Sequence, residues 1–191
     1  MLRHFAARHL FACVAIVVIT AIVLLAMGRL PFCKCGFIRL WSGDIWSNEN
    51  SQQFLDPYSF THVLHGVLIY FLLWLVLPGR VPIGMRLVCA VALESGWEIL
   101  ENSNFIIDRY RAATISLDYY GDSVFNSIGD ILCMTVGFAL AWKLPSRITA
   151  IGAVALDTLL LFIIRDSLLV NIIMLIHPIE AIRQWQLHRS L

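Results

Sequence analysis

Five apolar runs, each about as long as a bilayer crossing, divide this chain and restrict it to a helical bundle in an apolar solvent. They lie at about residues 10–27, 60–77, 83–100, 124–142 and 148–164. A helix rises about 1.5 Å per residue, so roughly 20 residues cross about 30 Å of hydrocarbon. In lipid, each backbone amide must find its partner inside its own segment, and the runs are therefore expected as α-helices. Of the 191 residues, 59% are hydrophobic and 14% charged. Soluble domains carry about 45–50% and about 25%, and a soluble fold of this size could not hide the difference. The expected fold class is all-α: a polytopic transmembrane helix bundle of about five spans with two long polar loops, forming one integral membrane domain over residues 1–191. Its first partner is the lipid bilayer. The net charge of +1 gives no basic face, so nucleic acid is not an expected partner.

The first run follows Arg3, His4, Arg8 and His9 and reads as a signal anchor. Polar loops are expected at 28–58 and 101–123. The tail, 167–191, begins with an apolar stretch too short to span. It ends with Ile179, Ile182 and Trp185 at three-residue spacing, as in a short interfacial helix. An N-terminus on the cytoplasmic side would place Arg3, Arg8, Arg80, Arg86, Lys143 and Arg147 in the cytoplasm, as the positive-inside rule favours. Cys13, Cys89 and Cys133 lie in apolar runs and read as small core residues. Cys33 and Cys35 sit in a polar loop, where they would either bind metal or pair in an oxidising compartment.

Ionisable groups within the spans carry the functional signal, because each costs at least about 2.5–3.5 kcal/mol to insert. His62 and His65 lie three apart at the start of the second span. Glu94, Glu98 and Glu101 form one stripe at the end of the third, and Asp122, Asn126 and Asp130 another at the start of the fourth. Successive spans alternate in direction, so these three stripes meet at one membrane face. Glu101 alone reads as an interfacial loop residue. So many carboxylates need neutralising, by a divalent metal (zinc, iron or manganese), by protons or by arginines. His62, His65, Glu98, Asp122 and Asn126 are the candidate metal ligands; Glu94 and Asp130 are candidate general bases. Arg109 and Arg111 are candidates for gripping an anionic headgroup. Asp157, in the middle of the fifth span, is a separate mid-span acid, expected to hydrogen-bond within the bundle or to form part of a relay.

Several motifs carry a resemblance. They are Cys33-Lys-Cys-Gly, Ser47-Asn-Glu-Asn-Ser-Gln, His62-Val-Leu-His-Gly, Trp97-Glu-Ile-Leu-Glu-Asn-Ser, the run from Asp108 to Ser123, Ile164-Arg-Asp, and Asn171 to Pro178. Together they resemble the alphaproteobacterial multi-pass membrane protein family known as domain of unknown function 2585. The resemblance covers nearly the whole chain. It implies a bacterial inner-membrane location and no particular activity. A fainter similarity, to the VanZ-like group, lies in the order Glu98, then Arg109 and Arg111, then Asp122 to Asn126.

Three functions compete at this point. One is metal-dependent chemistry on a lipid or envelope precursor, with the metal activating water or polarising a phosphate. The second is a proton- or ion-coupled carrier. The third is a non-catalytic membrane scaffold or assembly protein, in which the polar stripes only lock helix packing.

Overall fold

The computed structural model describes residues 6–116 and 118–188, so Arg3 and His4 of the basic flank lie outside the described residues. Those residues form eight helices: α1 (Ala7–Ala26), α2 (Ser59–Val76), α3 (Ile83–Glu101), α4 (Asn104–Ala113), α5 (Val124–Lys143), α6 (Ser146–Ile164), α7 (Leu168–Ile176) and α8 (Glu180–Leu187). No strand occurs among them.

Four helices, α1, α2, α5 and α6, are long and apolar enough to cross a membrane. α3 is also 19 residues long, but it carries Arg86, Glu94, Glu98 and Glu101. Its charges are tolerated because three of them are buried against protein: α3 packs on α1, α5 and α2. α2 and α5 form the central pair. Their backbones approach closely at Gly66 and Gly137, where a Cβ would collide with the carbonyls of Met134 and Val63 respectively. The core sits below this contact and comprises Leu73, Leu87, Ala90, Val91, Ile131, Met134 and Phe138, with Cys13 and Cys89 partly buried against it. Burying a side chain such as Phe138 is worth about 1.5–3 kcal/mol in water. The outer helices turn apolar side chains outward instead: Phe11 on α1 is 76% exposed and Phe162 on α6 is 79% exposed.

The segment 101–123 is not all loop. Ser103 caps α4, its hydroxyl accepting from the Ile106 amide at 3.4 Å, and Arg111 stands in the last turn. Ile107, Tyr110 and Ala113 are buried at three-residue spacing on one face. This helix is polar overall, so an apolar-run reading misses it. The tail likewise contains two short helices, α7 and α8.

The first loop, in contrast, is irregular but tightly stitched. The amides of Val124 and Phe125 donate to the Leu30 and Pro31 carbonyls at 2.8 and 3.1 Å. The Gln52 side chain donates to Gly121 O at 2.8 Å, and Ser123 Oγ donates to Gln52 O at 2.9 Å. Cys33 and Cys35 form a disulfide in this loop. The loop thus lies fixed over the start of α5.

Arg86 lies in the first turn of α3. It is buried, and its guanidinium donates to the carbonyls of Leu73, Leu77, Pro78 and Val81 at the end of α2. Leu73 lies in the last turn of α2 and the other three in the turn beyond it, and a cation at a helix C-terminus suits the helix dipole. Asp157 is half-buried, and its carboxylate accepts from the Leu169 amide at 3.4 Å, near the start of α7.

Candidate metal centre

The start of α2, the end of α3 and the start of α5 converge at one end of the bundle, as alternating helix directions require. His62 Nδ1 lies 2.6 Å from Glu94 Oε1, and His65 Nδ1 lies 3.0 Å from the same oxygen. With the proton of each imidazole on Nδ1, Glu94 orients both rings and leaves both Nε2 atoms free to ligate. His62 Nε2 is 3.8 Å from Asp130 Oδ2, and His62 Nδ1 is 3.5 Å from Glu98 Oε1. Ser59 Oγ donates to Asp130 Oδ1 at 2.8 Å.

Glu98 has no exposed surface, and neither of its carboxylate oxygens has a hydrogen-bond partner among the described residues. Its neighbour Glu101 accepts from the Tyr110 hydroxyl at 2.7 Å on one oxygen, while the other oxygen has no such partner. Asp122 accepts from Asn102 Nδ2 at 2.9 Å and from the Tyr119 hydroxyl at 3.0 Å. Its backbone amide donates to Asn102 Oδ1 at 2.7 Å. Burial holds the Asp122 carboxyl up at about 6, against the pull of the Tyr119 and Asn102 hydrogen bonds. Like charges about 4 Å apart repel by about 4 kcal/mol at an effective dielectric of about 20, so this cluster is costly unless a cation or protons enter it.

Three groups of side chains can each offer ligand atoms within 4.8 Å of one another: His62, His65 and Glu94; His62, Glu98 and Asp130; Glu98, Glu101 and Asp122. His, Glu and Asp donors in this mixture suit zinc, iron or manganese. The structure therefore brings together His62, His65, Glu94, Glu98, Asp122 and Asp130. It adds Glu101, which lines the cavity rather than a solvent loop. The three-residue step from Glu98 was its signal in the sequence.

Asn126, Arg109 and Arg111 have other contacts. Asn126 Nδ2 donates to Gln53 O at 2.9 Å, anchoring the first loop on α5. Arg109 donates to the carbonyls of Leu175 and Ile176 at the end of α7, at 2.7 and 3.2 Å. Arg111 donates to Tyr119 O at 2.5 Å. Neither arginine is among the described residues lining the cavity. Tyr110, Tyr119, Asn102 and Ser59 were not legible as site residues. Polar and aromatic side chains of this kind have no spacing signature, and only the fold aims them at the carboxylates.

Beside the cluster lies a cavity of about 320 Å³. Its lining includes both the polar groups His62, His65, Glu94, Glu101, Asp122 and Asp130 and apolar side chains such as Leu68, Leu93, Ile172 and Leu175.

Membrane-length helices enclosing a buried imidazole–carboxylate cluster define the class: an all-helical protein with a polar centre inside an apolar bundle. This chain belongs to the family described as Protein of unknown function (DUF2585), whose profile matches residues 24–188 and so includes every residue of the cluster. It is 50% identical to a UPF0314 protein of Paracoccus denitrificans, over 90% of this chain and 88% of that one. Identity to a UPF0314 protein of Brucella anthropi is 48%, over 90% and 87%. For a UPF0314 protein of Sphingopyxis alaskensis it is 46%, over 90% and 91%. These matches bear on the first resemblance and not on the VanZ-like order of motifs. No solved structure matches the chain.

Proposed function

We propose that this chain is a multi-pass protein of the bacterial inner membrane that holds a divalent cation and uses it in chemistry on a lipid or envelope precursor. The carrying observation is Glu98: a carboxylate with no exposed surface and two unpartnered oxygens, within ligand distance of His62 and Asp130. A buried charge left without partners costs several kcal/mol, and a cation at this position removes that cost.

The cavity supports the choice of substrate. Its lining combines the metal ligands with apolar side chains of α2, α3 and α7, which suits an amphiphile with a polar headgroup and an acyl chain. His62, Glu98 and Asp130 would hold the cation, with His65 able to join them. Glu94 orients the two imidazoles and can take a proton from them. The cation, rather than Arg109 or Arg111, would meet an anionic headgroup, either as a Lewis acid or by lowering the pKa of a bound water. With the N-terminus cytoplasmic, the cluster faces the periplasm. The Cys33–Cys35 disulfide in the adjoining loop favours that oxidising side.

Metal analysis of detergent-purified protein tests this. The wild type should carry near-stoichiometric zinc, iron or manganese, and His62→Ala and Glu98→Gln should lose it. Lipid extracts of a deletion strain should accumulate an amphiphile that the wild-type gene clears and Glu98→Gln does not. A wild type that takes up no divalent metal would overturn the reading and leave proton handling or scaffolding.

A further inference from the structure

The candidate ligands outnumber the needs of one ion. Glu94 is already occupied, since one of its oxygens accepts both imidazoles. The two remaining groups, His62, Glu98 and Asp130 on one side and Glu98, Glu101 and Asp122 on the other, share Glu98 alone. Both oxygens of Glu98 are buried and unpartnered, so each is open to a different neighbour. The second group contains three carboxylates and no cationic side chain. Neutral donors hold its outer acids: Tyr110 on Glu101, Tyr119 and Asn102 on Asp122. The free oxygen of Glu101 is buried as well. One dication among His62, Glu98 and Asp130 would balance two carboxylates and leave Glu101 and Asp122 uncompensated. A second dication makes the set of four carboxylates neutral.

Building on the metal reading above, we infer that the centre is binuclear: one divalent cation held by His62, Glu98 and Asp130, a second by Glu98, Glu101 and Asp122, with the Glu98 carboxylate bridging them. Tyr110, Tyr119 and Asn102 are positioning residues for the second ion. A pair of dications bridged by a carboxylate suits the charge of a phosphoester, because two metals can clamp the attacking and leaving oxygens of a displacement at phosphorus. The substrate class is then an amphiphile with a phosphorylated headgroup, its chain along Leu68, Leu93 and Ile172.

The test uses the full chain in detergent, stripped with chelator and reloaded with Mn²⁺. Metal is counted by mass spectrometry, and the spin state is read by electron paramagnetic resonance. Wild type should hold two Mn²⁺ per chain and show an exchange-coupled spectrum. Glu101→Gln should hold one, with an uncoupled spectrum, and Tyr110→Phe should weaken one of the two sites roughly tenfold. One uncoupled Mn²⁺ in wild type, unchanged by Glu101→Gln, would overturn the binuclear centre and leave the single-ion reading standing. No Mn²⁺ in wild type would overturn both. The wild-type spectrum decides the question even if Glu101→Gln fails to fold.

Discussion

The two ends of this bundle bury charge in opposite ways. At one end Arg86 is only 6% exposed, and four backbone carbonyls from the end of α2 and the turn beyond surround its guanidinium. At the other end Glu98, on the same helix, has no exposed surface, and its carboxylate has no hydrogen-bond partner among the described residues. Both residues are charged, buried and carried by α3. Arg86 donates to four carbonyls of the last turn of α2 and the turn beyond, so its burial serves the fold. Glu98 is surrounded by His62, Asp130, Glu101 and Asp122, so its burial only makes sense with something positive among them. Satisfaction of the charge, rather than its burial, separates a structural ion from a binding one.

Substitution of the two residues sharpens that contrast most. Arg86→Leu should destabilise the protein by about 3–4 kcal/mol in detergent unfolding, because it removes several buried charge-assisted hydrogen bonds that tie α3 to the turn after α2. Glu98→Gln should leave metal-free protein as stable as wild type or more so, since it removes a buried carboxylate that has no hydrogen bond and is crowded by other acids. If Glu98→Gln costs as much as Arg86→Leu, the two ends are alike and the cluster is structural.

Chelation comes next in size. With free metal at about a hundredfold its Kd, binding adds about 2.7 kcal/mol to stability, which chelator should remove from wild type and not from Glu98→Gln. Equal thermal shifts in both proteins would break the comparison.

A smaller effect concerns Asp166, whose carboxylate accepts from Tyr58 Oη at 3.1 Å and from its neighbour's amide. Burial raises its carboxyl to about 6, against the pull of these hydrogen bonds. A carboxyl raised in the folded state stabilises below its unfolded value near 3.8 and loses that contribution as pH climbs through about 6. Melting curves between pH 4 and 7 should therefore show a loss on the order of 2 kcal/mol in wild type that Asp166→Asn abolishes. The variant should be the more stable protein at pH 7. Smallest is Tyr110→Phe, which loses the hydrogen bonds to Glu101 and Asn171 and should cost about 1 kcal/mol.

Much of this was written in the chain. The apolar runs determined an all-helical bundle, because continuous apolar stretches of roughly 18–20 residues match a helical crossing and are too long for a barrel strand. Alternation of helix direction then placed His62, Glu98 and Asp130 at one end before any contact was known. What the sequence left undetermined depends on distance and direction. α4 is polar, and its short buried face at Ile107, Tyr110 and Ala113 is decided by what it packs against. Arg86 reads as one of the basic residues that set orientation, and its bonds to the carbonyls after α2 appear only once the helices are packed. Arg109 and Arg111 read as headgroup ligands by charge, yet their long side chains reach backbone carbonyls first. Glu94 and Glu98 are indistinguishable as letters on one stripe. In the folded chain both imidazoles reach Glu94, while the carboxylate of Glu98 has no hydrogen-bond partner among the described residues. Helix formation is a local response to solvent and can be read along the chain; which carboxylate is left open is set by packing among helices far apart in sequence.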